Sequence, residues 1–544
     1  MMRLPGVGLV NRIAVEVHAV ATVTRAGMLG WAAPGAVVEM AQALLGFGPV
    51  GAAIRVSALR FGDRAALVDE LGSLTYAELD QRSNALANAW RSQGIADGAS
   101  VGVLCRNHRG FLDVMFAAAK AGVRALYLNT DFSGPQAADV CLREGVDALV
   151  YDEEFTEVVA NVVAPKGRFL AWVEDVAAGE RPATVESLIA AADSTVPSKP
   201  VRPGAVVMLT SGTTGLPKGA PRKQPLSMVI PGALLERIPL RGNEGVYVAP
   251  PMFHAWGFIS SLLALGVGAT LVTRRRFDPE AVLDAVERQR CGALVVVPVM
   301  LKRMLALGDA EIRRRDLAAL HVIASGGAQL EGPLCTRVMD LFGDVVYSVY
   351  GSTECGDATI ATPADLRAAP ACVGTAPFGV TVKVLDEHGR PVPAGRTGRI
   401  FVGNTMSFAG YTGGGTKEMV DGLMSTGDVG HFDSAGRLFI DGRDDDMIVS
   451  GGENVFPQEV EELLAAHPGV YDAAVIGVDD PEFGKALRAF VVRRPGSDLD
   501  ESEVRGYVRD NLARYKAPRS VVFLDELPRN PAGKVLKREL RALA

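Results

Sequence analysis

The chain is poor in the features that mark several protein classes. Its six cysteines, Cys105, Cys141, Cys291, Cys335, Cys355 and Cys372, lie far apart and form no CxxC pair. That spacing argues against a zinc site or a secreted disulfide framework and fits a reducing cytosol. No long basic block is present, and Lys+Arg 56 against Asp+Glu 63 leaves a net charge of −7. A nucleic-acid-binding face is therefore not expected. No repeat recurs at solenoid periods. The first residues do not make a signal peptide, because Arg12 and Glu16 interrupt the apolar run and no clear cleavage site follows. Charge is sparse between Arg25 and Arg55, where Glu39 is the sole charged residue. Yet Pro34, Pro49 and several glycines break that stretch before it can make a clean spanning helix. The first expectation is a helix packed on its own domain, and the second is contact with a membrane surface.

What is present is the composition of a folded soluble protein: 544 residues, 48% hydrophobic and 22% charged, enough for two or more domains. From about Gly62 short apolar runs alternate with amphipathic ones. Thr75 to Gly94 reads as a helix, with Leu79, Leu86 and Trp90 near helical spacing. Val101 to Cys105, Ala148 to Tyr151, Gly245 to Ala249, Ala269 to Thr273, Leu294 to Val297 and Val322 to Ala324 read as strands. Asp278, Pro279 and Glu280 form a helix start. Such alternation predicts an α/β fold with layered, mostly parallel sheets in a large N-terminal domain. Ser194 to Gly204 reads as a connection. Past about Val373, Val380 to Leu385, Arg399 to Val402 and Arg437 to Ile440 predict a β-rich subdomain. Beyond Arg443 the pattern is that of a small α+β domain. It has helices over Pro457 to Ala466 and Glu501 to Arg514, the latter capped by Asp500, and strands over Ala473 to Val478 and Ala489 to Arg493. The expected boundaries are 1–55 for an apolar extension, 56–444 for the large domain and 445–544 for the small one.

The densest chemical signal is Leu209-Thr-Ser-Gly-Thr-Thr-Gly-Leu-Pro-Lys-Gly219. A strand over Val206 to Leu209 runs into small, hydroxyl-bearing and glycine residues. Such a loop can bring backbone N–H groups and the hydroxyls of Thr210, Ser211, Thr213 and Thr214 to phosphate oxygens, with Lys218 adding charge. It is not a Walker A loop, since Pro217 precedes Lys218 and Gly219 follows it.

This string resembles the phosphate-binding loop of the adenylate-forming superfamily, which holds acyl-CoA synthetases, adenylation domains of peptide synthetases, and luciferases. Further motifs follow in the family's order: Ser325-Gly326-Gly327-Ala328, Tyr350-Gly351-Ser352-Thr353-Glu354, Ser425-Thr-Gly-Asp428, Gly442-Arg443, Ser450-Gly451-Gly452 and Pro528-Arg-Asn-Pro-Ala-Gly-Lys534. The resemblance covers about Gly62 to Leu540. It implies that Thr210, Ser211, Gly212, Thr213, Thr214 and Lys218 hold phosphates, and that Gly326, Gly327 and Ala328 lie beside adenine. Tyr350 to Glu354 would complete the nucleotide site. Asp428 and Arg443 would meet the ribose or phosphate oxygens, and Thr210 and Glu354 would hold Mg²⁺. Lys534 would bridge the acyl carboxylate and the α-phosphate. In the second half-reaction the small domain would turn about Asp445, and Gly451 and Gly452 would line the channel for the coenzyme A thiol. Pro250-Pro-Met-Phe-His254 resembles the segment between nucleotide and acyl pocket, where His254 would orient the acid or gate its entry. The alternative is a packed core histidine.

The resemblance thus implies a cytoplasmic fatty-acid–CoA ligase. ATP, Mg²⁺ and coenzyme A would be its cofactors and a medium- or long-chain fatty acid its partner, with room for peripheral membrane contact and for a homodimer. The apolar segment from Phe253 to Leu265, with Trp256 and Phe258 as tunnel-lining residues and Gly257 leaving space, is the basis for the chain-length expectation. Two alternatives stand beside it. One is a fatty acyl-AMP ligase that hands its product to a carrier protein. The other is a non-catalytic lipid- or nucleotide-binding protein on the same scaffold. Retention of Lys218, Glu354, Asp428, Arg443 and Lys534 together opposes the last.

Overall fold

The computed structural model describes residues 9–30, 34–174, 182–210, 218–222, 226–405, 408, 410–412, 414–444, 448–450, 453–480, 484–512, 516–531 and 533–543. Its large domain is built on two sheets. The first has eight strands in the order Gly356–Ala361, Val346–Ser352, Val322–Gly326, Cys291–Val296, Gly245–Val248, Thr270–Val272, Ala65–Asp69 and Gly72–Thr75. All inner pairings are parallel, and one antiparallel strand closes each edge. The second has six strands, Arg168–Trp172, Ala148–Asp152, Ser100–Leu104, Arg124–Tyr127, Val206–Thr210 and Lys218–Arg222, parallel except for the last pair. Cys291–Val296, Val322–Gly326 and Ser100–Leu104 are buried at every position. Strands covered on both faces must be apolar throughout, which is why they read as continuous runs.

Helix Arg109–Ala121 is the central buried element. Its Phe111, Val114 and Met115 share one core with Val101 and Val103 of the second sheet and Val246 and Leu271 of the first. Lys120 in this helix is wholly buried, and its ammonium donates to Asp80, Ser83 and Asn84 at 2.7 Å each. A buried charge survives only when paired in this way. Helix Tyr76–Ser92 starts on a reciprocal Thr75–Glu78 cap, and Asp278 caps Pro279–Arg288 through the Ala281 N–H at 2.8 Å.

A five-stranded β subdomain follows, with Leu423–Phe432 paired to Gly398–Gly403, Met419–Val420 and Leu438–Arg443. The small domain packs Val470–Asp480, Gly484–Arg493 and Ser520–Leu524 against helices Pro457–Ala465 and Glu501–Asn511. The strand Val470–Asp480 is longer than Ala473 to Val478, because its polar ends still pair across the hairpin, out to Asp480 opposite Gly484. Helix Glu501–Asn511 is shorter than the expected Glu501 to Arg514: Leu512 is already extended, at φ −129° and ψ 174°.

The N-terminal residues divide into two helices. Leu9–Arg25 lies on Val229–Arg237, where Glu16 accepts from the Ser227 hydroxyl at 2.6 Å and His18 meets Glu236 at 2.7 Å. Pro34–Phe61 is two helical stretches, 28 residues in all, joined at Gly48, whose φ of 69° and ψ of 179° are not helical, just before Pro49. By length and composition it could cross a membrane. Its second half instead enters the core. Val50 and Ile54 are buried, and Ser57 donates to the Leu265 carbonyl at 3.0 Å. The span runs straight through residue 55, so the expected boundary between an extension and the large domain cuts a helix. Ile13, Val17, Val20, Val37, Val38 and Leu45 keep exposed side chains.

Burial of Val50 or Ile54 is worth about 1.5–3 kcal/mol each. Deletion of residues 1–55 is therefore expected to lower the melting temperature markedly or to give aggregate on size exclusion, whereas deletion of 1–33 leaves a folded protein. A monomeric 1–55 deletion with an unchanged melting temperature would contradict the core role of this helix.

Candidate active site

Parallel strands send the loops at their carboxyl ends to one side of a sheet, and ligands of open α/β folds bind there. In the first sheet these loops are Ala249–His254, Val297–Val299, Gly327–Ala328 and the turn after Val346–Ser352. In the second, Val206–Thr210 ends at the phosphate-loop string. Thr210 pairs with Lys218, so the two ends of that string are cross-strand neighbours. Ser211, Gly212, Thr213 and Thr214 lie outside the described residues, as do Asp445, Gly451 and Gly452.

On the nucleotide side, Asp428 and Arg443 are opposite each other on paired strands, and Arg443 Nη1 donates to Asp428 Oδ1 at 3.0 Å. The Tyr350 hydroxyl donates to the other carboxylate oxygen at 2.6 Å. Burial, reinforced by the Asp428 charge, pushes the Tyr350 phenol up, so it stays a donor. The Asp428 N–H is held by Thr426 Oγ1 at 3.0 Å. Three residues predicted from separate motifs thus meet around one carboxylate.

Glu354 accepts a hydrogen bond from the Tyr411 hydroxyl at 2.8 Å. The Lys218 ammonium sits 5.4 Å from the centre of the Tyr411 ring. The next residue, Thr412, donates its N–H to the Gly219 carbonyl at 2.9 Å and its hydroxyl to Glu144 at 2.5 Å. Tyr411 and Thr412 therefore strap the cation-bearing strand to the acidic turn. Sequence reasoning gave neither residue a site role, because they stand in a glycine-rich tract, Gly410-Tyr-Thr-Gly-Gly-Gly415. The Glu354 carboxylate offers only oxygen ligands, the kind a Mg²⁺ ion takes.

On the acyl side, the Trp256 indole N–H donates to the Val296 carbonyl at 3.0 Å, and its ring lies flat against Gly326. A Cβ on that glycine would come within 3.1 Å of Trp256 Cε2. Trp256 is thus a fixed wall. The expected tunnel through Phe253–Leu265 is not what these residues build. Phe253, Phe258, Leu263 and Leu265 are committed to the core, with Phe258 against the Tyr127 ring at 5.6 Å. The space beside Gly257 is filled by the carbonyls of Pro250 and Pro251, which a Cβ would meet at 2.6 and 2.4 Å. His254 is packed against Phe253, with ring centres 4.5 Å apart, and its Nε2 is buried without a partner among the described residues. Burial pulls its pKa down to about 4, so the ring is neutral. The Ser325 hydroxyl is likewise buried without a partner among the described residues.

Asn107 was not legible as a site residue. Its amide donates to the Pro250 carbonyl at 2.9 Å and accepts the Met252 N–H at 2.8 Å, so a loop of the second sheet pins the acyl-side segment of the first.

The small domain brings the last motif to this crevice. Asn530 and Lys534 exchange hydrogen bonds at 2.9 Å, closing a turn. Its Gly533 has φ +79° and rests on Val297 and Val299. A Cβ there would lie 2.5 Å from Val299 Cγ1, a contact only glycine permits. Lys534 is thereby presented at the end of strand Cys291–Val296 with its side chain exposed.

This fold, a large domain on two sheets followed by a β subdomain and a small α+β domain, is that of the adenylate-forming ligases. The chain belongs to the AMP-binding enzyme family: the family match spans residues 54–412, and the AMP-binding enzyme C-terminal domain matches 459–534. It is 36% identical over 483 residues to a feruloyl-CoA synthase of Amycolatopsis sp, covering 86% of this chain and 94% of that protein. It is 31% identical over 488 residues to the fatty acid–acyl-carrier-protein ligase ScoC of Streptomyces coeruleorubidus, covering 88% and 92%. Among solved structures, it matches the o-succinylbenzoate CoA synthetase MenE of Bacillus subtilis in complex with the acyl-adenylate intermediate OSB-AMP. That match has a TM-score of 0.78 and 26% identity, and covers 90% of this chain and 97% of that one.

Where the domains meet, Glu462 of the small domain accepts from Gln329 of the large one and from Gln458. Burial raises its pKa to about 7, and these two donors only partly offset the rise. A raised carboxyl binds its proton more tightly in the closed state than when exposed. Its contribution is therefore complete below the ordinary carboxyl range and declines as pH rises from about 4.5 through about 7. Glu462→Gln is expected to flatten the fall in melting temperature across that window. An unchanged slope would remove Glu462 as its source.

Proposed function

We propose that the chain is an ATP-dependent acyl-CoA ligase for a hydrophobic monocarboxylic acid. The carrying observation is the Gly533–Lys534 turn seated on Val297 and Val299 at the strand ends. In the first half-reaction a carboxylate oxygen of the acid attacks the α-phosphorus of ATP. The P–O bond to pyrophosphate breaks and the acyl-adenylate forms. Two anions approach each other in this step, so cations held in place supply much of the catalysis. Lys534 is assigned to the carboxylate and α-phosphate, and Lys218 with Thr210, Ser211, Gly212, Thr213 and Thr214 to the other phosphates. Asp428, oriented by Tyr350 and Arg443, would accept from the ribose hydroxyls, and Gly326 to Ala328 would border adenine. Glu354, steadied by Tyr411 and joined by Thr210, would hold the Mg²⁺ that offsets phosphate charge. In the second half-reaction the coenzyme A thiolate attacks the acyl carbonyl and AMP leaves. Lys534 must first withdraw; by the family resemblance Asp445 is read as the pivot, and Gly451 and Gly452 as lining of the thiol channel.

The acid is read as a medium- or long-chain fatty acid. Its support is the pairing of Trp256 with a neutral His254, which offers no cation for a second carboxylate. An aryl acid is the second reading, favoured by the flat, immobile Trp256 wall and by the feruloyl-CoA synthase relative. His254 Nε2 and the Ser325 hydroxyl are the polar atoms in need of partners there. Passing the acyl group to a carrier protein, as ScoC's name describes for that protein, is the alternative for the acceptor.

Lys534→Ala is expected to lower acyl-AMP formation on the order of 10²-fold or more while largely sparing thioester formation from supplied acyl-AMP. Equal losses in both steps would defeat the assigned role. The acid is decided by kcat/KM with acetate, octanoate, palmitate, benzoate and ferulate, each tested with coenzyme A and with a carrier protein as acceptor. Each added buried CH₂ should contribute up to about 0.8 kcal/mol until the pocket is full. A maximum at ferulate or benzoate, with no rise toward octanoate, would replace the fatty acid with the aryl reading.

A further inference from the structure

Four charged side chains meet where the small domain touches the large one, outside the nucleotide and acyl sites. Lys302, on helix Pro298–Leu305, follows directly from the Val297–Val299 seat. Its ammonium lies 3.0 Å from Glu331 of the large domain and 3.0 Å from Asp472 of the small domain. The second oxygen of Asp472 accepts from Arg529 Nη2 at 2.5 Å. Arg529 Nη1 in turn donates to the Gly533 carbonyl at 2.6 Å, on the peptide that leads into Lys534. A continuous polar chain therefore runs from the scaffold of the large domain to the backbone of the terminal lysine. Asp472 and Lys302 are nearly closed to solvent, with side chains 8% and 11% exposed. Burial draws the Lys302 ammonium pKa down, but Glu331 and Asp472 outweigh it and hold the pKa above its usual value.

We propose that Lys302, Asp472 and Arg529 form a positioning latch that selects the domain orientation in which Lys534 faces the crevice. The proposal rests on the reading of the chain as a ligase with two half-reactions. Its logic lies in which pairs cross the interface. Lys302–Glu331 is internal to the large domain and Asp472–Arg529 to the small one, and only Lys302–Asp472 joins them. When the domains part, each charge keeps one partner, so no buried ion is left bare. A buried ion pair adds little net stability but strongly disfavours mispaired arrangements. A junction of this kind specifies one orientation and still opens on each catalytic cycle. The apolar part of the contact, Gly533 on Val299, supplies fit; the latch supplies direction.

The test is Lys302→Met, which keeps the length of the stem and removes the charge, with Lys302→Arg as the conservative partner. With octanoate, or ferulate if octanoate is inert, acyl-AMP formation by Lys302→Met should fall at least tenfold. Thioester formation from the matching synthetic acyl-AMP and coenzyme A should stay within about twofold of wild type. Lys302→Arg should restore most of the first step. A second readout needs no substrate. All six native cysteines are buried, so dyes can be directed to Glu387→Cys in the large domain and Asp479→Cys in the small one, both at exposed positions. The wild-type background should give one dominant distance by single-molecule energy transfer, and Lys302→Met should populate a second. Equal loss in both half-reactions, no loss in either, or an unchanged distance distribution would overturn the latch. A wild-type protein that adenylates none of the acids would overturn the functional reading instead, and the distance measurement would still decide the latch.

Discussion

Parallel pairing of Gly245–Val248, Cys291–Val296, Val322–Gly326 and Val346–Ser352 determines where chemistry can occur in this molecule. Most positions along these strands are buried and apolar, so the groups available for chemistry lie at their carboxyl ends, as Tyr350 does, or on the loops just beyond. Four segments far apart in sequence are thereby delivered to one crevice. Close backbone packing at that rim then decides which residues fit: Trp256 against Gly326, and Gly533 against Val299. Asn107 couples the two sheets at the same edge, so the acyl-side loop takes its position from the second sheet as much as from its own.

Polar contacts in the protein fall into two kinds. Lys120 is enclosed within one rigid unit by Asp80, Ser83 and Asn84, and nothing in the fold requires those groups to separate. At the domain junction the contacts are fewer and are centred on Lys302, Asp472, Gln329 and Glu462. A hydrophobic junction of the same area would hold more tightly and would resist opening. The difference sets a closely knit large domain apart from a more polar junction with the small one.

Much of this was readable from the sequence for definable reasons. The inner strands announce themselves as unbroken apolar runs, and Asp278 and Thr75 mark helix starts through local chemistry within four residues. The nucleotide motifs are legible because they need glycines and hydroxyls packed densely along the chain. Contacts that depend on distant partners were not legible. Asn107 meets Met252 across 145 residues and Lys302 meets Asp472 across 170. Tyr411 was hidden among glycines. The apolar helix Ala255–Val267 misled for the opposite reason: hydrophobicity alone does not distinguish a side chain that lines a pocket from one that fills the core. Only the packing of Phe258 on Tyr127 makes that distinction.

The kinked N-terminal helix has a consequence for biosynthesis. Its Ser57 hydroxyl binds the Leu265 carbonyl, 208 residues later. At a translation rate of about 5–20 residues per second, the Ser57 hydroxyl waits about 10–40 s on the ribosome before its partner carbonyl has been made. The apolar stretch that could cross a membrane by length and composition therefore lacks part of its native packing while the chain is nascent. Throughout that interval Gly48 and Pro49 interrupt the stretch as a continuous helix, so neither half alone has the roughly 20 residues that spanning a bilayer needs.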